Sequence, residues 1–486
     1  MAAQTPAPAP WEAVPAHHQL FVLITGANSG IGLGTAQVLI DDFLRSRPPA
    51  SHLIVLPTTR SMLPTPRSSR KSLETVRELR AYAVAAAKTW AQGRGPGPGC
   101  AWQDAVARVH ILSLALDLCD LRAVRRLART LRCGTVSNPD GLDGEYLRNV
   151  RIPRLDSVVC NAAYGGWSGM DYPRAARSLL ARGLVQIATW PDFKLALPTC
   201  ILNERPVYGY PLLGEVFCAC VFGHYMLARN LLPLLSRPGG AGLPPARIVW
   251  SSSVEAVQRV FDIDDMQCFE RPEAYESAKR LTDLVCLTAS LPATRPYTSR
   301  FFALDNDDGK DNGDNDDDSG AAVPPNMYLT HPGVVASTLF PLPWFLFGLY
   351  RLALEVCRWL GSPWHNVTGY RGAKAAAWVA LQPQEALDHL AAQRVKWGSS
   401  TDARLRVHVK KTEVEGWGWD GSPETAQALQ ADCAVGVLRK AVGRKLGAAF
   451  TTADDLVEFE ALGARCWNQL EELRAQWDEI LDRDGP

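Results

Sequence analysis

Short apolar runs alternate with amphipathic stretches along most of the chain before residue 340. Runs of consecutive apolar residues predict buried strands, and apolar residues at helical spacing predict amphipathic helices. The predicted strands occupy residues 20–25, 53–56, 109–116, 157–160, 247–250 and 327–329. The predicted helices occupy residues 33–44, 73–90, 121–131, 215–235 and 275–291. Because strands alternate with helices, we expect an α/β fold with a Rossmann-like, doubly wound parallel sheet.

Several segments do not follow this alternation. Residues 1–18 are rich in Ala and Pro and are expected to form a disordered tail. Residues 61–100 mix Ser, Pro, Arg and Gly around one predicted helix, which indicates an insertion, and the acidic residues 305–320 are expected to form a disordered loop. The main domain is therefore placed at residues 19–338, and residues 361–486 are predicted to be a helical C-terminal extension of unknown role.

The composition indicates a globular protein with no nucleic-acid partner. Of the 486 residues, 47% are hydrophobic and 21% are charged, and 51 Lys and Arg balance 51 Asp and Glu. This balance excludes a wholly disordered chain and a generally basic nucleic-acid binder. The 12 Cys include no C-x-x-C pair, so neither a disulfide framework nor a metal site is predicted. The N-terminus lacks the basic start and apolar run of a secretory signal, which favours a reducing cytosolic environment.

Residues 339–360 form an apolar segment that is nearly long enough to span a bilayer, but two prolines and three charges interrupt it. Arg351, Glu355 and Arg358 are spaced to share one face of a helix, with Leu, Val and Trp opposite. This pattern predicts a helix lying in the membrane interface and anchored by its aromatic residues. A lid packed over a substrate pocket is the alternative, and one element could do both.

A glycine-rich segment, residues 25–32, lies between the first predicted strand and the first predicted helix. Glycines at a strand-to-helix turn let backbone N–H groups and the positive end of the helix face a pyrophosphate. A plain glycine-rich turn remains the alternative for this segment taken alone. The residues that we expect to contact such a ligand are Gly26, Asn28, Ser29, Gly30, Ile31 and Gly32.

Two further polar groups carry candidate chemistry. Tyr275 and Lys279 are four residues apart on one helix, so the ammonium is expected to lower the pKa of the phenol toward neutrality and to make it a proton donor. Ser253 follows the strand at residues 247–250, where a parallel strand delivers side chains to the ligand-binding edge of the sheet. Taken singly, a Tyr and a Lys at this spacing more often lie on an ordinary helix face, and a Ser at this place more often belongs to an ordinary polar strand end.

In this order, the segments resemble the short-chain dehydrogenase/reductase family over roughly residues 20–338. The family's TGxxxGxG motif matches residues 25–32, its NAG-type motif matches residues 161–163, and its catalytic Ser, Tyr and Lys match Ser253, Tyr275 and Lys279. The resemblance implies a nicotinamide cofactor and a set of residues that hold it. By this resemblance Asp117 would contact the adenine, and Asn161, Tyr275 and Lys279 would also contact the cofactor. Pro332, Gly333 and Val334 would lie against the nicotinamide, with Ser337 or Thr338 near its amide.

Two positions add detail to the resemblance. Arg60 follows the second strand, where family members that use NAD typically have an acidic residue, so an Arg that suits a 2′-phosphate predicts NADPH. Cys220 stands where the family usually has an Asn that helps to hold a water in the proton relay to the Lys. Because a thiol is a much weaker hydrogen-bonding group, this departure puts the relay in doubt.

Within the family, residues 214–217, 221–225, 247–253 and 274–283 resemble the fungal 3-keto sterol reductases of sterol C4 demethylation. This resemblance implies NADPH-dependent reduction of the C3 ketone of 4-demethylated sterols to the 3β-alcohol in ergosterol-type biosynthesis. It also implies a membrane surface and other C4-demethylation proteins as partners, at the cytosolic face of the endoplasmic reticulum or on lipid droplets. The alternatives are another lipid ketone, such as a 17-keto steroid or retinal, or a weakly catalytic scaffold.

Overall fold

A nine-stranded sheet forms the centre of the molecule. The computed structural model describes residues 8–60, 66–93, 101–142, 146–196, 210–240, 242–304, 322–337, 339, 342–428 and 443–483. In chain order the strands are β1 (Gln19–Ile24), β2 (His52–Thr59), β3 (Val109–Ile111), β4 (Leu114–Ala115), β5 (Ser157–Cys160), β6 (Trp167–Met170), β7 (Lys194–Ala196), β8 (Arg247–Ser251), β9 (Asn326–His331), β10 (Val334–Val335), β11 (His365–Val367), β12 (Lys396–Thr401) and β13 (Val407–Thr412).

The strand order of the main sheet is β13-β12-β9-β8-β5-β1-β2-β3, and β4 also pairs with β2. Its neighbouring strands are parallel except at one edge, where β13 runs antiparallel to β12. The order reverses beside β1, and ligands bind at such a reversal, beyond the carboxyl ends of the strands. The Rossmann-like, doubly wound fold predicted from the sequence is confirmed.

Helices cover both faces of the sheet. A π-helical segment (Cys218–Phe222) joins α7 to α8. In chain order the helices are α1 (Gly30–Ser46), α2 (Pro66–Gln92), α3 (Trp102–Ala107), α4 (Leu121–Cys133), α5 (Tyr172–Arg182), α6 (Leu184–Thr189), α7 (Glu215–Phe217), α8 (Gly223–Asn230), α9 (Leu232–Leu235), α10 (Ala274–Thr288), α11 (Arg295–Phe302), α12 (Trp344–Trp359), α13 (Gly369–Gly372), α14 (Lys374–Leu381), α15 (Gln384–His389) and α16 (Ala453–Arg483).

The side chains of β1 alternate between two cores. Phe21 and Leu23 pack with α4, α8 and α10 on one face of the sheet. Val22 and Ile24 pack with α1, α2 and α14 on the other face. Because both faces of a parallel strand are buried, the strand reads as a continuous apolar run, which is why the sequence predicted it.

The C-terminal part of the chain differs from the purely helical extension that we expected. β12 pairs in parallel with β9, so the main sheet continues well beyond residue 338. Residues 396–401 read KWGSST and contain no apolar run, and their polar side chains are nevertheless buried. The expectation is therefore wrong for β12 and β13, although α16 is a long helix.

The expected disorder of the N-terminal tail is also wrong for the residues that the structure describes there. Trp11 is 1% exposed, and its ring centroid lies 5.8 Å from that of Phe21 in an edge contact. Burial of one large aromatic side chain is sufficient to fix a short segment on the core. Within the predicted insertion, α2 packs on α1 through buried residues that include Val76 and Leu79. The acidic loop at residues 305–320 lies outside the described residues.

Candidate active site

The turn between β1 and α1 can be made only by glycines at three points. Gly26 and Gly30 have φ values of +65° and +56°, which L side chains rarely adopt. A Cβ on Gly32 would lie 2.4 Å from the carbonyl oxygen of Gly26. The turn therefore holds the first backbone N–H groups of α1 against the neighbouring cleft without side chains between them.

Thr25 fixes this turn to the end of β5. Its Oγ1 accepts hydrogen bonds from the backbone N–H groups of Asn161, at 2.8 Å, and Ala162, at 3.0 Å. Asn161 Nδ2 donates to the carbonyl oxygen of Thr25 at 2.9 Å. His224 Nε2 lies 2.8 Å from Thr25 Oγ1, and burial lowers the pKa of this histidine to about 3, so it is neutral. The sequence analysis missed His224, which lies 199 residues from Thr25.

A cleft of about 550 Å³ runs along the glycine turn. Most of the predicted cofactor residues line this cleft, including all those predicted in the glycine turn and Ser337 far along the chain. The predicted residues that line it are Gly26, Asn28, Ser29, Gly30, Ile31, Gly32, Arg60, Asp117, Asn161 and Ser337. Thr338 lies outside the described residues.

Arg60 and Asp117, which the sequence analysis treated separately, form an ion pair at the far end of the cleft. Arg60 Nε donates to Asp117 Oδ2 at 3.1 Å, and Arg60 Nη2 lies 3.9 Å from Glu215 Oε1. The Arg60 side chain is 44% exposed, so its remaining donors can reach a ligand. Two carboxylates therefore hold this guanidinium at the end of β2.

A second cavity, of about 440 Å³, adjoins the cleft and has mainly apolar walls. Ser253 and Tyr275 lie at its polar end. Pro332, Gly333 and Val334 line this second cavity rather than the cleft. The residues shared by both cavities are Ile31, Val335, Ser337 and Leu339. A ligand in the cleft and one in the cavity would thus meet at these shared residues, and the second ligand could also reach Ser253 and Tyr275.

Helix α12 closes the outer side of this cavity. The side chains of α12 that line the cavity are Leu346, Leu349, Tyr350, Ala353 and Leu354, of which Leu349 is also 64% exposed. The face of α12 that carries the three charges is not uniformly solvated, because Arg358 is 3% exposed and forms an ion pair with Glu355. The exposed surface of α12 is instead largely apolar and includes Trp344, Phe345, Leu349, Leu352 and Trp359. Within the described residues, none of the helices combines the length and apolar character needed to cross a bilayer.

The structure brings Ser253, Tyr275 and Lys279 together at the carboxyl end of β8. The Tyr275 ring packs against Trp167, with ring centroids 4.7 Å apart. Lys279 Nζ donates to the carbonyl oxygen of Ser251 at 2.7 Å and lies 5.6 Å from the Tyr275 ring centroid. Ser251 ends β8 and Ser252 and Ser253 follow it, and of these three serines Ser253 lines the cavity.

The expected lowering of the Tyr275 pKa by Lys279 is not observed. Burial raises the pKa of Tyr275 well above its ordinary value, and the carboxylate of Glu255 raises it further. A hydrogen bond with Ser253 acts in the opposite direction. Burial also lowers the pKa of Lys279. Tyr275 is therefore a protonated phenol in this structure, which is the form that can donate.

Cys220 lies in the π-helical segment beside Lys279. Its thiol donates to the carbonyl oxygen of Tyr164 at 3.4 Å, and burial raises its pKa. Cys220 is 2% exposed. The thiol is thus a neutral, weakly bonded group at the position where the resemblance led us to expect an Asn.

A buried ion pair, which was not predicted from the sequence, holds the backbone of Ser253 in place. Lys396 Nζ, from β12, lies 2.7 Å from Asp283 Oδ2 and donates to the carbonyl oxygen of Ser253 at 2.7 Å. Asp283 Oδ1 accepts from Ser252 Oγ at 2.5 Å. Lys396 and Asp283 are 2% and 0% exposed. This network ties β8, α10 and β12 together directly beneath the site.

The strand order, the glycine turn and the Ser253–Tyr275–Lys279 set at the carboxyl ends of the strands define a short-chain dehydrogenase/reductase. A 3-keto-steroid reductase of Gibberella zeae is 56% identical to this chain over 480 residues and covers 98% of both chains. A 3-keto-steroid reductase of Aspergillus fumigatus is 38% identical over 476 residues, which are 96% of this chain and 95% of that protein. The chain belongs to the family of fungal 3-keto-steroid reductases.

Other comparisons add little to this assignment. No protein-family model matches the chain. Among solved structures, salutaridine reductase from Papaver somniferum aligns with a TM-score of 0.36 and 15% identity, over 75% of this chain and 96% of that one.

Proposed function

We propose that this protein reduces the C3 ketone of a 4-demethylated sterol to the 3β-alcohol, with NADPH as the reductant. The observation that carries this proposal is the apolar cavity that ends at Ser253 and Tyr275 and adjoins the glycine-turn cleft. A rigid lipid with one ketone fits such a cavity, because apolar walls bind the rings and a few polar groups orient the carbonyl. The names of the relatives, which are 3-keto-steroid reductases, support the same substrate class.

The residues of the site have distinct tasks in this reaction. When bound, a reduced nicotinamide supplies the hydride. Tyr275 donates its phenolic proton to the developing alkoxide oxygen, and Ser253 donates a hydrogen bond to the same oxygen. Lys279, whose ammonium donates to the carbonyl oxygen of Ser251 in this structure, would hold the ribose hydroxyls of the cofactor. The apolar walls exclude water, so the two donors act in a medium of low dielectric.

The choice of NADPH rests on Arg60. A guanidinium presents several donors in one plane and binds a 2′-phosphate bidentately, whereas a free ribose hydroxyl gains much less from it. Arg60 directly follows β2, lines the cleft and already has Asp117 on one side. On binding, Arg60 would contact the phosphate with its outer nitrogens and keep Asp117 as its inner partner.

The experiment that tests the substrate class compares two ketones with purified full-length protein in detergent. A 3-keto sterol that lacks 4-methyl groups and a 17-keto steroid are offered with NADPH, and the alcohol products are identified by mass spectrometry. We expect a 3β-alcohol from the first ketone and at least tenfold slower turnover of the second, because a displaced ketone would not reach Tyr275. Faster turnover of the 17-keto steroid would contradict the proposed substrate.

We also propose that α12 rests on the cytosolic face of the endoplasmic reticulum membrane or on a lipid droplet. One side of α12 lines the cavity, and Trp344, Phe345 and Trp359 on its outer side are 88%, 65% and 61% exposed. An amphipathic helix with exposed aromatic side chains is typical of the membrane interface. A lipid substrate could then enter the cavity past α12 without crossing water.

Binding to lipid vesicles tests this placement. Trp344→Ser combined with Phe345→Ser should reduce the vesicle-bound fraction about tenfold or more, because each buried aromatic side chain contributes about 1.5–3 kcal/mol. Val457→Ser, at a side chain that is 69% exposed on α16, is the matched control. Equal vesicle binding by the α12 variant and the wild type would contradict the proposal.

A further inference from the structure

A charged cluster borders the cavity beside Tyr275. Lys194 Nζ, from β7, forms ion pairs with Glu255 and with Glu276, the latter at 2.5 Å. Lys194 Nζ also lies 3.9 Å from the ring centroid of Trp167 and 5.5 Å from that of Tyr275. Lys194 and Glu255 line the cavity, and Glu276 is not among the residues that line it. Two carboxylates and one ammonium thus lie at the reacting end of a cavity that is otherwise mainly apolar.

The groups that face Glu255 come from three elements. β7 contributes Lys194, α10 contributes Tyr275 and Glu276, and α12 contributes Tyr350. The pKa of Glu255 is raised to about 7, because burial and then Glu276 raise it more than Lys194 lowers it. Burial alone would lower the pKa of Lys194, but the two carboxylates outweigh burial and raise it. At neutral pH the ammonium is therefore charged and the cluster carries an additional, exchangeable proton.

The phenol of Tyr275 is a weaker acid than the neighbouring carboxyl of Glu255. The pKa of Tyr275 is raised well above its ordinary value, by burial and then by Glu255 itself. A phenolate formed at Tyr275 is consequently a much stronger base than the carboxylate of Glu255. Proton transfer from the Glu255 carboxyl to that phenolate is downhill, whether direct or through a water in the cavity.

We propose that Glu255, paired with Lys194, returns to Tyr275 the proton that Tyr275 gives up in each turnover. This inference rests on the proposed function, because Tyr275 loses its proton only to a substrate oxygen. Glu255 acts through Tyr275 and does not contact the reacting atoms in this account. Lys194 holds the carboxyl in place and balances one of the two carboxylate charges after the transfer.

The protons and electrons of the cycle balance. Hydride from a reduced nicotinamide dinucleotide reduces the ketone carbon, and the dinucleotide is oxidised. The O–H bond of Tyr275 breaks, and an O–H bond forms on the alkoxide oxygen. The O–H bond of Glu255 then breaks, its electron pair stays on the carboxylate, and a new O–H bond forms on Tyr275. After the alcohol has left the cavity, a proton from the solvent forms the O–H bond of Glu255 again.

This arrangement also accounts for Cys220. On the opposite side of Tyr275, Lys279 Nζ donates to a backbone carbonyl, and the neighbouring Cys220 thiol is already engaged with the carbonyl oxygen of Tyr164. A thiol conducts protons through hydrogen bonds less well than an amide and its water. A second route through Glu255 removes the need for an Asn at position 220.

The kinetic test compares the first turnover with the steady state in Glu255→Gln. Tyr275 begins protonated, so the first turnover, followed by stopped flow, should remain within about twofold of the wild type. The ratio of steady-state to first-turnover rate at pH 7 should fall about tenfold or more, which is the low end of a general acid–base contribution. Glu270→Gln removes an exposed carboxylate outside this cluster and should leave the ratio unchanged. An unchanged ratio in Glu255→Gln would overturn the inference.

An infrared titration tests the same carboxyl without cofactor or substrate. In the full-length protein, a protonated-carboxyl band should disappear as the pH rises through about 7. The band should be absent from Glu255→Gln and present in Glu276→Gln. The same band in Glu255→Gln would overturn the inference. Absence of any ketone turnover in the wild type would overturn the proposed function and this inference with it, a result distinct from an unchanged ratio.

Discussion

Lys396 donates a hydrogen bond to the backbone carbonyl of Ser253 across 143 residues of chain. The same ammonium pairs with Asp283, which lies one helical turn beyond Lys279 in α10 and also accepts from Ser252. A single buried ion pair thus fixes the strand end that carries Ser253 to the helix that carries Tyr275. β12, which the sequence analysis left in an extension of unknown role, is part of the active-site support.

Removal of one partner from the Lys396–Asp283 ion pair should strongly destabilise the fold. We expect Lys396→Met to lower the free energy of unfolding by about 3–5 kcal/mol, because it leaves the Asp283 carboxylate buried without its partner. Lys396→Met combined with Asp283→Asn should recover part of that loss, since the amide can still bond Ser252 and carries no charge. Guanidinium unfolding measures both variants. A double variant less stable than Lys396→Met would contradict the assigned pairing.

Arg60 should determine the choice between the two nicotinamide dinucleotides. Arg60→Leu should weaken NADPH binding by about tenfold or more, because a charge-assisted bond to a phosphate contributes about 1.5–3 kcal/mol. NADH binding should change by less than threefold. Cofactor fluorescence titration gives both affinities, and Arg45→Leu, at an exposed Arg outside the cleft, is the control. Equal losses for the two cofactors would argue against a 2′-phosphate contact.

Acidification should destabilise the fold partly through His224. Burial lowers its folded pKa to about 3, while the unfolded chain binds a proton near the ordinary value of 6.5. Its contribution is therefore complete above about pH 6.5 and is lost as the pH falls toward 3, by about 1.4 kcal/mol per pH unit. His224→Gln should reduce the slope of unfolding free energy against pH between 6 and 4. The exposed His389→Gln should not, and equal slopes in both variants would contradict this assignment.

Substitution of Cys220 shows whether the proton relay beside Lys279 is impaired or has been replaced by the route through Glu255. If Glu255 reloads Tyr275, Cys220→Asn should raise the steady-state rate by less than about threefold, because the Asn route would be redundant. Cys220→Ser, which restores only a hydroxyl, controls for the change in polarity at this buried position. A gain of tenfold or more in Cys220→Asn would show that the relay of this protein is impaired, and it would favour the scaffold interpretation.

Residues close together in sequence could be placed from the sequence alone. β5 was predicted at residues 157–160 and is observed at Ser157–Cys160, because every side chain in it is buried between two covered faces. The glycine turn and the four-residue spacing of Tyr275 and Lys279 are likewise local patterns. Each of these features depends on only a few consecutive residues.

Features that depend on distant partners could not be predicted. β12 is a buried strand with polar side chains, since Lys396 pairs with Asp283 and Ser399 Oγ donates to the carbonyl oxygen of Gly372. Lys194 and Glu255 are 61 residues apart, and neither stands in a recognisable motif. The pKa of Tyr275 depends on burial and on Glu255, neither of which the Tyr–Lys spacing reveals.

Isotope transfer in the wild type and in Tyr275→Phe tests the central claim most directly. With NADPH deuterated at C4 of the nicotinamide and a 4-demethylated 3-keto sterol, the account predicts a 3β-alcohol that carries deuterium at C3. Tyr275→Phe should bind the cofactor with similar affinity and lose turnover by about a hundredfold or more, as expected for removal of a general acid. Deuterated product formed at the wild-type rate by Tyr275→Phe, or an unchanged ketone with wild-type protein, would contradict the account.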